Sequence, residues 1–325
     1  MPRAVDWGSR IGRRLRLRDL HILFAVVQHG SMTGAGAHLN MSQSAVSQAI
    51  ATLEHALDVR LLDRTRRGVQ PTIYADAIMR RARVAFDELR SGVKEIEFLI
   101  DPAAGQVRIA CSDMLAGGIL APEIDRFFRR YPRVAIEVIQ SNAFTREFSE
   151  LRERKADLVL SILSAPLEAG MADDLNIEFL FEERMCLAAS ARGPWARRRK
   201  VQFDDLRDAD WITPFSGASA EKALFEAFSI RGLPPPRVVV RTMSGHLRNF
   251  LSVHHPFIAL VPRSFLKINK DIAGLRMLPI ELPMRPLPVA MITLKNRTLS
   301  GTVEQFVVCM RDVAKSIGRD EDSRR

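Results

Sequence analysis

Between Met41 and Leu57 the chain reads MSQSAVSQAIATLEHAL, and Gln43, Ser44, Ser47 and Gln48 crowd its leading end. Short uncharged polar side chains can donate to and accept from the edges of bases without the cost of burying a charge. A glutamine amide matches an adenine edge through two hydrogen bonds, and a serine hydroxyl reaches a base or a phosphate. Ser42, just ahead of them, is a good helix N-cap and a further contact. The segment LLDRTRRGVQPT then carries Arg64, Arg66 and Arg67 beside Gly68, cations suited to phosphates or a minor groove. Thr33 opens an Ala-rich segment whose helix N-terminus can hold a phosphate. A second group of small polar residues lies further on: Ser112 and Asp113 in CSDM, Ser141 and Asn142 in QSN, Phe215 and Ser216 in PFSG, Thr242 and Ser244 in RTMS. Those types suit hydrogen bonds to a small ligand.

The elements that must position the first group read as helices. Leu20, Leu23, Phe24 and Val27 follow a helical period that stops at Gly30, and a short helix runs from about Thr33 to Leu39. In the third, Val46, Ile50, Leu53 and Leu57 recur at steps of 4, 3 and 4 and make one buried face, which turns the Gln and Ser residues outward. Short helices joined by a tight turn form a helix-turn-helix, and two extended pieces about the basic Gly turn add a wing. Residues 1–15 read as a flexible basic arm and 16–72 as this mainly α, winged DNA-binding domain. From Ile73 to Ile100 no proline occurs, and Ile78, Ala82, Ala85, Leu89, Val93, Ile96 and Leu99 form one stripe. A linker helix of this kind, 73–100, pairs most simply with a second copy of itself; packing on its own C-terminal domain is the alternative. Residues 101–105, DPAAG, read as a hinge.

Beyond the hinge the period changes to strand, helix, strand, helix, strand, the pattern of a parallel α/β sheet: QVRIAC, VAIEVIQ and ADLVLSI alternate with LAPEIDRFFRRYP and FTREFSELRER. A second α/β unit follows, and a last strand and helix return to the first. The expected layout is lobe one at 106–162 and 266–318, lobe two at 163–265, and a flexible tail at 319–325. The chain crosses between the lobes twice, and a cleft lies between them. Ligands in such folds sit at the C-terminal ends of strands, where the four polar loops fall.

The chain has 325 residues and 48 Lys+Arg against 38 Asp+Glu, a net +10. Up to residue 70 there are ten arginines and no lysine against five acids, so half of that surplus lies at the DNA-binding end. No apolar run approaches the ~18 residues that span a bilayer. Cys111, Cys186 and Cys309 are far apart and fit buried thiols in a reducing cytoplasm. No nucleophile elbow, P-loop, dinucleotide fingerprint or HExxH is present, and His254-His255 fits a solvated turn. The chain therefore reads as a cytoplasmic protein with no membrane partner, and not as an enzyme; no catalytic, metal or cofactor site is expected. A three-helix protein-binding module and an architectural DNA-binding protein without ligand dependence remain open at this point.

From Asp19 to Thr72 the chain resembles the DNA-binding domain of the LysR-type transcriptional regulators, most clearly in SQSAVSQAIATLE and LLDRTRRGV. The layout of the remainder is similar as well. The resemblance implies dimerisation through the linker helix, assembly commonly to a tetramer, and a two-lobed periplasmic-binding-protein-like effector domain. It implies a ligand-responsive regulator that binds promoter inverted repeats in double-stranded DNA and contacts RNA polymerase. It also points to Ser112, Ser141 and Ser216 as the leading effector contacts, for an organic acid or a sugar. The second-lobe segments look similar to a subgroup that includes regulators of sugar and aromatic-acid use. Asp58, Leu62, Pro71, Ile73 and Asp76 depart from the family's usual residues. Two substitutions separate base reading from phosphate binding. Gln43→Ala should weaken specific binding by about 1–3 kcal/mol at one base step, while Arg66→Ala should lower affinity for every sequence and flatten the salt dependence. Equal loss on promoter and random DNA for Gln43→Ala, in a quantitative gel-shift titration, would contradict the base-reading role.

Overall fold

The computed structural model describes residues 15–65, 68–141, 147–163, 167, 170–269 and 274–322. It forms two compact units, Met1–Arg90 and Ser91–Arg325. The first holds α1 (Leu17–His29), α2 (Met32–Leu39), α3 (Gln43–Leu57) and an antiparallel hairpin of β1 (Leu62–Thr65) and β2 (Gly68–Pro71). The apolar stripes predicted from the sequence meet in one core of Leu20, Leu23, Val26, Val46, Ile50 and Leu53, to which Leu61 and Ala75 add. Ser31 and Ser42 cap α2 and α3 by accepting from the Gly34 and Ala45 amides at 3.0 and 3.2 Å. At the end of α3 Asp58 takes the left-handed conformation, φ 56°, so the aspartate fills a position where glycine is the easier fit.

A long helix, α4 (Ile73–Ile100), follows the hairpin. Thr72 joins the two: its hydroxyl donates to the Arg60 carbonyl at 2.8 Å and accepts from the Ala75 amide at 3.3 Å. Ala82 is buried, whereas Leu89, Val93, Ile96 and Leu99 are 53–73% exposed and leave an apolar ridge open.

In the second unit chain order is β3 (Ala104–Cys111), α5 (Ala121–Arg130), β4 (Arg133–Gln140), α6 (Ser149–Arg152), β5 (Leu158–Ile162), β6 (Leu175–Glu183), β7 (Met185–Ser190) and β8 (Asp210–Thr213). Then come α7 (Ser219–Ser229), β9 (Arg237–Arg241), α8 (Gly245–His254), β10 (Ile258–Pro262), α9 (Arg263–Ile268), β11 (Leu275–Met277), β12 (Leu287–Leu294) and α10 (Gly301–Asp322). Lobe one is a sheet in the order β4-β3-β5-β12-β6, and lobe two one in the order β11-β7-β10-β8-β9. Three features differ from the sequence reading. The sheets are mixed, because β12 runs antiparallel to β5 and β6, and β7 to β10 and β11. Leu175–Glu183, assigned by position to lobe two, pairs with β12 in lobe one, and Leu275–Met277, assigned to lobe one, pairs with β7 in lobe two. The crossings therefore fall at Arg184 and in the stretch 278–286, not at 163 and 265. The helix expected around Phe148 shrinks to α6 among the described residues.

Lobe one is bound internally by Asp157, 4% exposed. Its carboxylate accepts from Arg108 Nη2 at 2.7 Å, from Arg297 Nη2 at 2.8 Å and from the Arg108 amide at 2.9 Å. Burial acts to raise its pKa, but the Arg108 hydrogen bonds and the charges of Lys94, Arg108 and Arg297 prevail and hold it below the ordinary value. Glu123 of α5 is the opposite case. It is fully enclosed and neither carboxyl oxygen finds a hydrogen bond among the described residues; burial pushes its pKa up to about 7, against the nearby Arg126. The folded state thus favours the protonated acid, and stability falls as pH rises from the ordinary carboxylate range through about 7. Glu123→Gln should flatten that slope and leave the protein more stable than the parent at pH ~8. Urea unfolding at several pH values checks this; parallel slopes for the two proteins would contradict it.

Candidate nucleic-acid interface and interlobe cleft

The face of α3 opposite Val46, Ile50 and Leu53 carries the polar cluster: Ser42, Gln43, Ser44 and Gln48 are exposed and Ser47 is half-buried. Gln43 Nε2 donates to Ser47 Oγ at 3.1 Å, and the Ser42 and Ser44 hydroxyls lie 3.0 Å apart, so the polar side chains of the ridge contact one another. Thr33 is exposed on the first turn of α2. The wing is fixed at both edges. The Val69 amide donates to the Gly30 carbonyl at 2.9 Å, and Gly68, φ 118°, passes so close that a Cβ would stand 2.7 Å from that oxygen. Glu54 Oε1 accepts from the Leu61 and Leu62 amides at 2.7 and 3.2 Å, tying α3 to β1. That role was missed in the sequence, where Glu54 offers no signal beyond its position on the helix. The side chain of Arg64, and Arg66, Arg67 and Asn142 entirely, lie outside the described residues.

In the second unit, four of the polar loops sit at strand ends. Ser112 and Asp113 follow β3, and Ser141 follows β4 with its amide on the Cys111 carbonyl at 2.9 Å. Phe215 and Ser216, both exposed, follow β8, and Thr242 follows β9 with its amide on the Thr213 carbonyl at 3.0 Å. The Phe215 loop is held by Glu221, whose carboxylate accepts from Gly217 N at 2.8 Å, Arg241 Nε at 2.9 Å and Thr213 Oγ1 at 3.1 Å. Ser244 acts as a cap, its hydroxyl accepting from the Leu247 amide at 3.3 Å. Ser112 Oγ is buried without a hydrogen-bond partner among the described residues.

Lobe one meets lobe two at Asp113, whose Oδ2 accepts from the Gly245 amide at 2.5 Å. One turn along α8 stands Arg248, 8% exposed, its guanidinium 5.6 Å from the Phe265 ring centre. Its Nε donates to Asn249 Oδ1 at 3.2 Å, and no carboxylate among the described residues forms an ion pair with it. Burial pulls its pKa down to about 10, although the charge of Asp113 acts the other way. Arg248 was not among the residues singled out from the sequence. Its signal was an arginine on the inward face of α8, four residues before the fully buried Ser252. The arrangement combines an enclosed cation with a hydroxyl that has no hydrogen-bond partner among the described residues, groups suited to a small anionic or hydroxylated ligand.

The three cysteines do not form part of this chemistry. All are buried; burial, with the charge of Asp113, pushes the Cys111 thiol up to about 12, and burial also raises Cys186 and Cys309. Among the described residues no group of His, Cys, Asp and Glu is arranged to hold a metal, and no helix is long and apolar enough to cross a membrane.

Comparison with known proteins agrees with this geometry. Residues 17–75 match the model of the bacterial regulatory helix-turn-helix protein, lysR family, and residues 101–315 match the LysR substrate binding domain. The chain is 26% identical to the HTH-type transcriptional regulator GbpR of Azospirillum brasilense, over 92% of this chain and 86% of that protein. It is 27% identical to the HTH-type transcriptional regulator GalR of Pseudomonas putida, over 94% of this chain and 77% of that one. Full-length CbnR, solved in complex with its target DNA, shares the fold with a TM-score of 0.62 at 19% identity, over 92% of this chain and all of that one (100%).

The burial of the thiols sets a chemical expectation. None of the three should react with a disulfide reagent in the native protein, and all three should react on unfolding in urea. Rapid native modification of Cys111 would contradict the packing at the end of β3.

Proposed function

The chain belongs to the LysR family, as a DNA-binding transcriptional regulator with an effector-binding domain and not an enzyme, and on that premise we propose how its two units work. The α3 ridge of Gln43, Ser44, Ser47 and Gln48 enters the major groove of a promoter half-site, with Ser42 and Thr33 on the flanking phosphates. Arg64, Arg66 and Arg67 of the wing extend the contact along the backbone. Two subunits read an inverted repeat, joined through the exposed Leu89, Val93, Ile96 and Leu99 ridge of α4. Further exposed apolar residues, Phe128 in lobe one and Leu247 and Phe250 in lobe two, support assembly of effector domains beyond the dimer. The protein acts in the cytoplasm, where altered DNA geometry changes RNA polymerase access.

The effector is a small organic acid in the interlobe cleft. Arg248 carries this reading, because an enclosed guanidinium without an ion pair among the described residues favours a carboxylate over a neutral sugar. Ser112, Ser141, Ser216 and Thr242 supply hydroxyls around it, with Phe215 as an apolar wall and Ser244 as the cap of α8. Asp113 already occupies the N-terminus of α8 through Gly245, so an arriving carboxylate competes with it. Displacement of Asp113 changes the contact between lobes, and the ligand shifts the population only by its difference in affinity for the two arrangements.

Footprinting on the chain's own upstream DNA, with random DNA as competitor and a panel of organic acids and sugars, tests the reading. A bounded footprint that shortens or moves with one acid is expected. Asp113→Asn, which removes the competing charge, should lower the concentration of acid required by about tenfold. Diffuse protection that no compound alters would contradict it and favour an architectural protein.

A further inference from the structure

Between β7 and β8 the chain reads ARGPWARRRKVQ, residues 191–202, with five cations and no acid. The segment is anchored along its length. The Ala191 amide donates to the Gly274 carbonyl at 2.9 Å and the Arg192 amide to Ser190 Oγ at 3.3 Å. A single 3₁₀ turn, Pro194–Arg197, follows. Arg276 Nη1 of β11 donates to the Ala196 carbonyl at 2.8 Å, which sets a further guanidinium beside the run, and Val201 and Phe203 then enter the lobe-two core. Arg198 is used internally: it lies over the Trp195 ring at 4.8 Å and pairs with Asp205 at 2.9 Å. Arg192, Arg197, Arg199 and Lys200 are exposed and form no ion pair among the described residues.

We propose that this ridge is a second DNA contact, made to the phosphates of duplex beside the sequence that α3 reads. It is remote from the interlobe cleft. β7 is antiparallel to β10, with Met185 opposite Pro262, so Ser190 and the ridge fall at the start of β10. β8 runs parallel to β10 and to β9, so Phe215 and Thr242 leave from the other end of the sheet. At the ridge's end Asp210 is already paired with Arg237 at 2.9 Å, and the exposed Asp204 and Asp208 offset only part of the charge. Cations held on a fixed backbone attract a polyanion, and the arginine fork matches phosphate oxygens. No large apolar side chain of 191–206 is exposed, so the surface lacks the anchor that a membrane or an apolar protein interface would use. The proposal rests on the DNA-binding role of the first unit, which brings duplex to the ridge at a raised local concentration. The contact carries no sequence information; it adds affinity and holds the DNA that flanks the inverted repeat.

Two duplexes separate the ridge from α3: one limited to the inverted repeat, the other extended by arbitrary sequence on both sides. Affinity of the full chain for each is measured by fluorescence anisotropy over a range of salt. The extended duplex should bind more tightly and with the steeper salt dependence. Arg197→Gln, Arg199→Gln and Lys200→Gln together should lower the logarithmic salt slope on the extended duplex by about 2–3 and weaken its binding by about tenfold or more at low salt. The short duplex should be unaffected, and Arg197→Lys with Arg199→Lys should keep the slope. A second triple, Lys155→Gln, Arg285→Gln and Lys315→Gln, removes the same charge from exposed positions elsewhere and should change neither duplex. The substituted side chains are exposed, and an unchanged melting curve shows that the variants fold. An unchanged slope in the ridge variant, equal loss on both duplexes, or the same loss in the second triple would each overturn the contact. So would ridge-dependent binding to anionic phospholipid vesicles with the DNA slope intact, which would assign the surface to a membrane. The short duplex reports base reading by α3 alone, and none of these results bears against it.

Discussion

An arginine buried with no ion pair among the described residues is the constraint from which the proposal for the effector unit starts. Removing a charge from water is costly unless other groups compensate, and Arg248 is enclosed beside Asn249, the Phe265 face and Cys186, in the field of Asp113, with no ion pair among the described residues. Asp113 belongs to the other lobe and spends its hydrogen bond on Gly245. The two lobes therefore meet at the Asp113–Gly245 hydrogen bond beside an enclosed guanidinium, which is the basis of the proposal that the effector is an anion.

The topology ties the two lobes through the strands on either side of the crossings. Each lobe's sheet is finished by strands that the chain reaches only after a crossing: β12 returns to lobe one, flanked by β5 and β6, and β11 completes lobe two against β7. Lobe one is cross-linked at Asp157, where two guanidiniums and a backbone amide donate to the carboxylate. In the DNA-binding unit the cross-links have a different source, the close backbone approach of Gly68 to Gly30 and the Glu54 carboxylate on β1, which fix the wing relative to α3.

Local order was legible in the sequence, and long-range pairing was not. The steps of 4, 3 and 4 in α3 placed Gln43 and Ser44 on the outer face without any structure, because helix period and burial depend on neighbours a turn away. The α4 stripe and the Ser42 cap were readable for the same reason. Leu175–Glu183 was misplaced because its partner, β12, lies more than a hundred residues on, and a bulge at Val289/Ala290 blurs its alternation. Ser112, Asp113, Ser141, Phe215, Ser216 and Thr242 could be placed after strand ends from strand order alone. Arg248 was not, since its meaning comes from the meeting of α8 with the opposite lobe.

The central claim is that Arg248 binds the effector's negative charge. Calorimetric titration of the full chain with the acid selected by footprinting, beside the same titration of Arg248→Gln and Arg248→Lys, tests it most directly. The account predicts a loss of about a hundredfold in affinity for the glutamine variant and partial recovery for the lysine, with binding to unliganded promoter DNA intact in both. Unchanged affinity in Arg248→Gln would contradict it and place the ligand elsewhere.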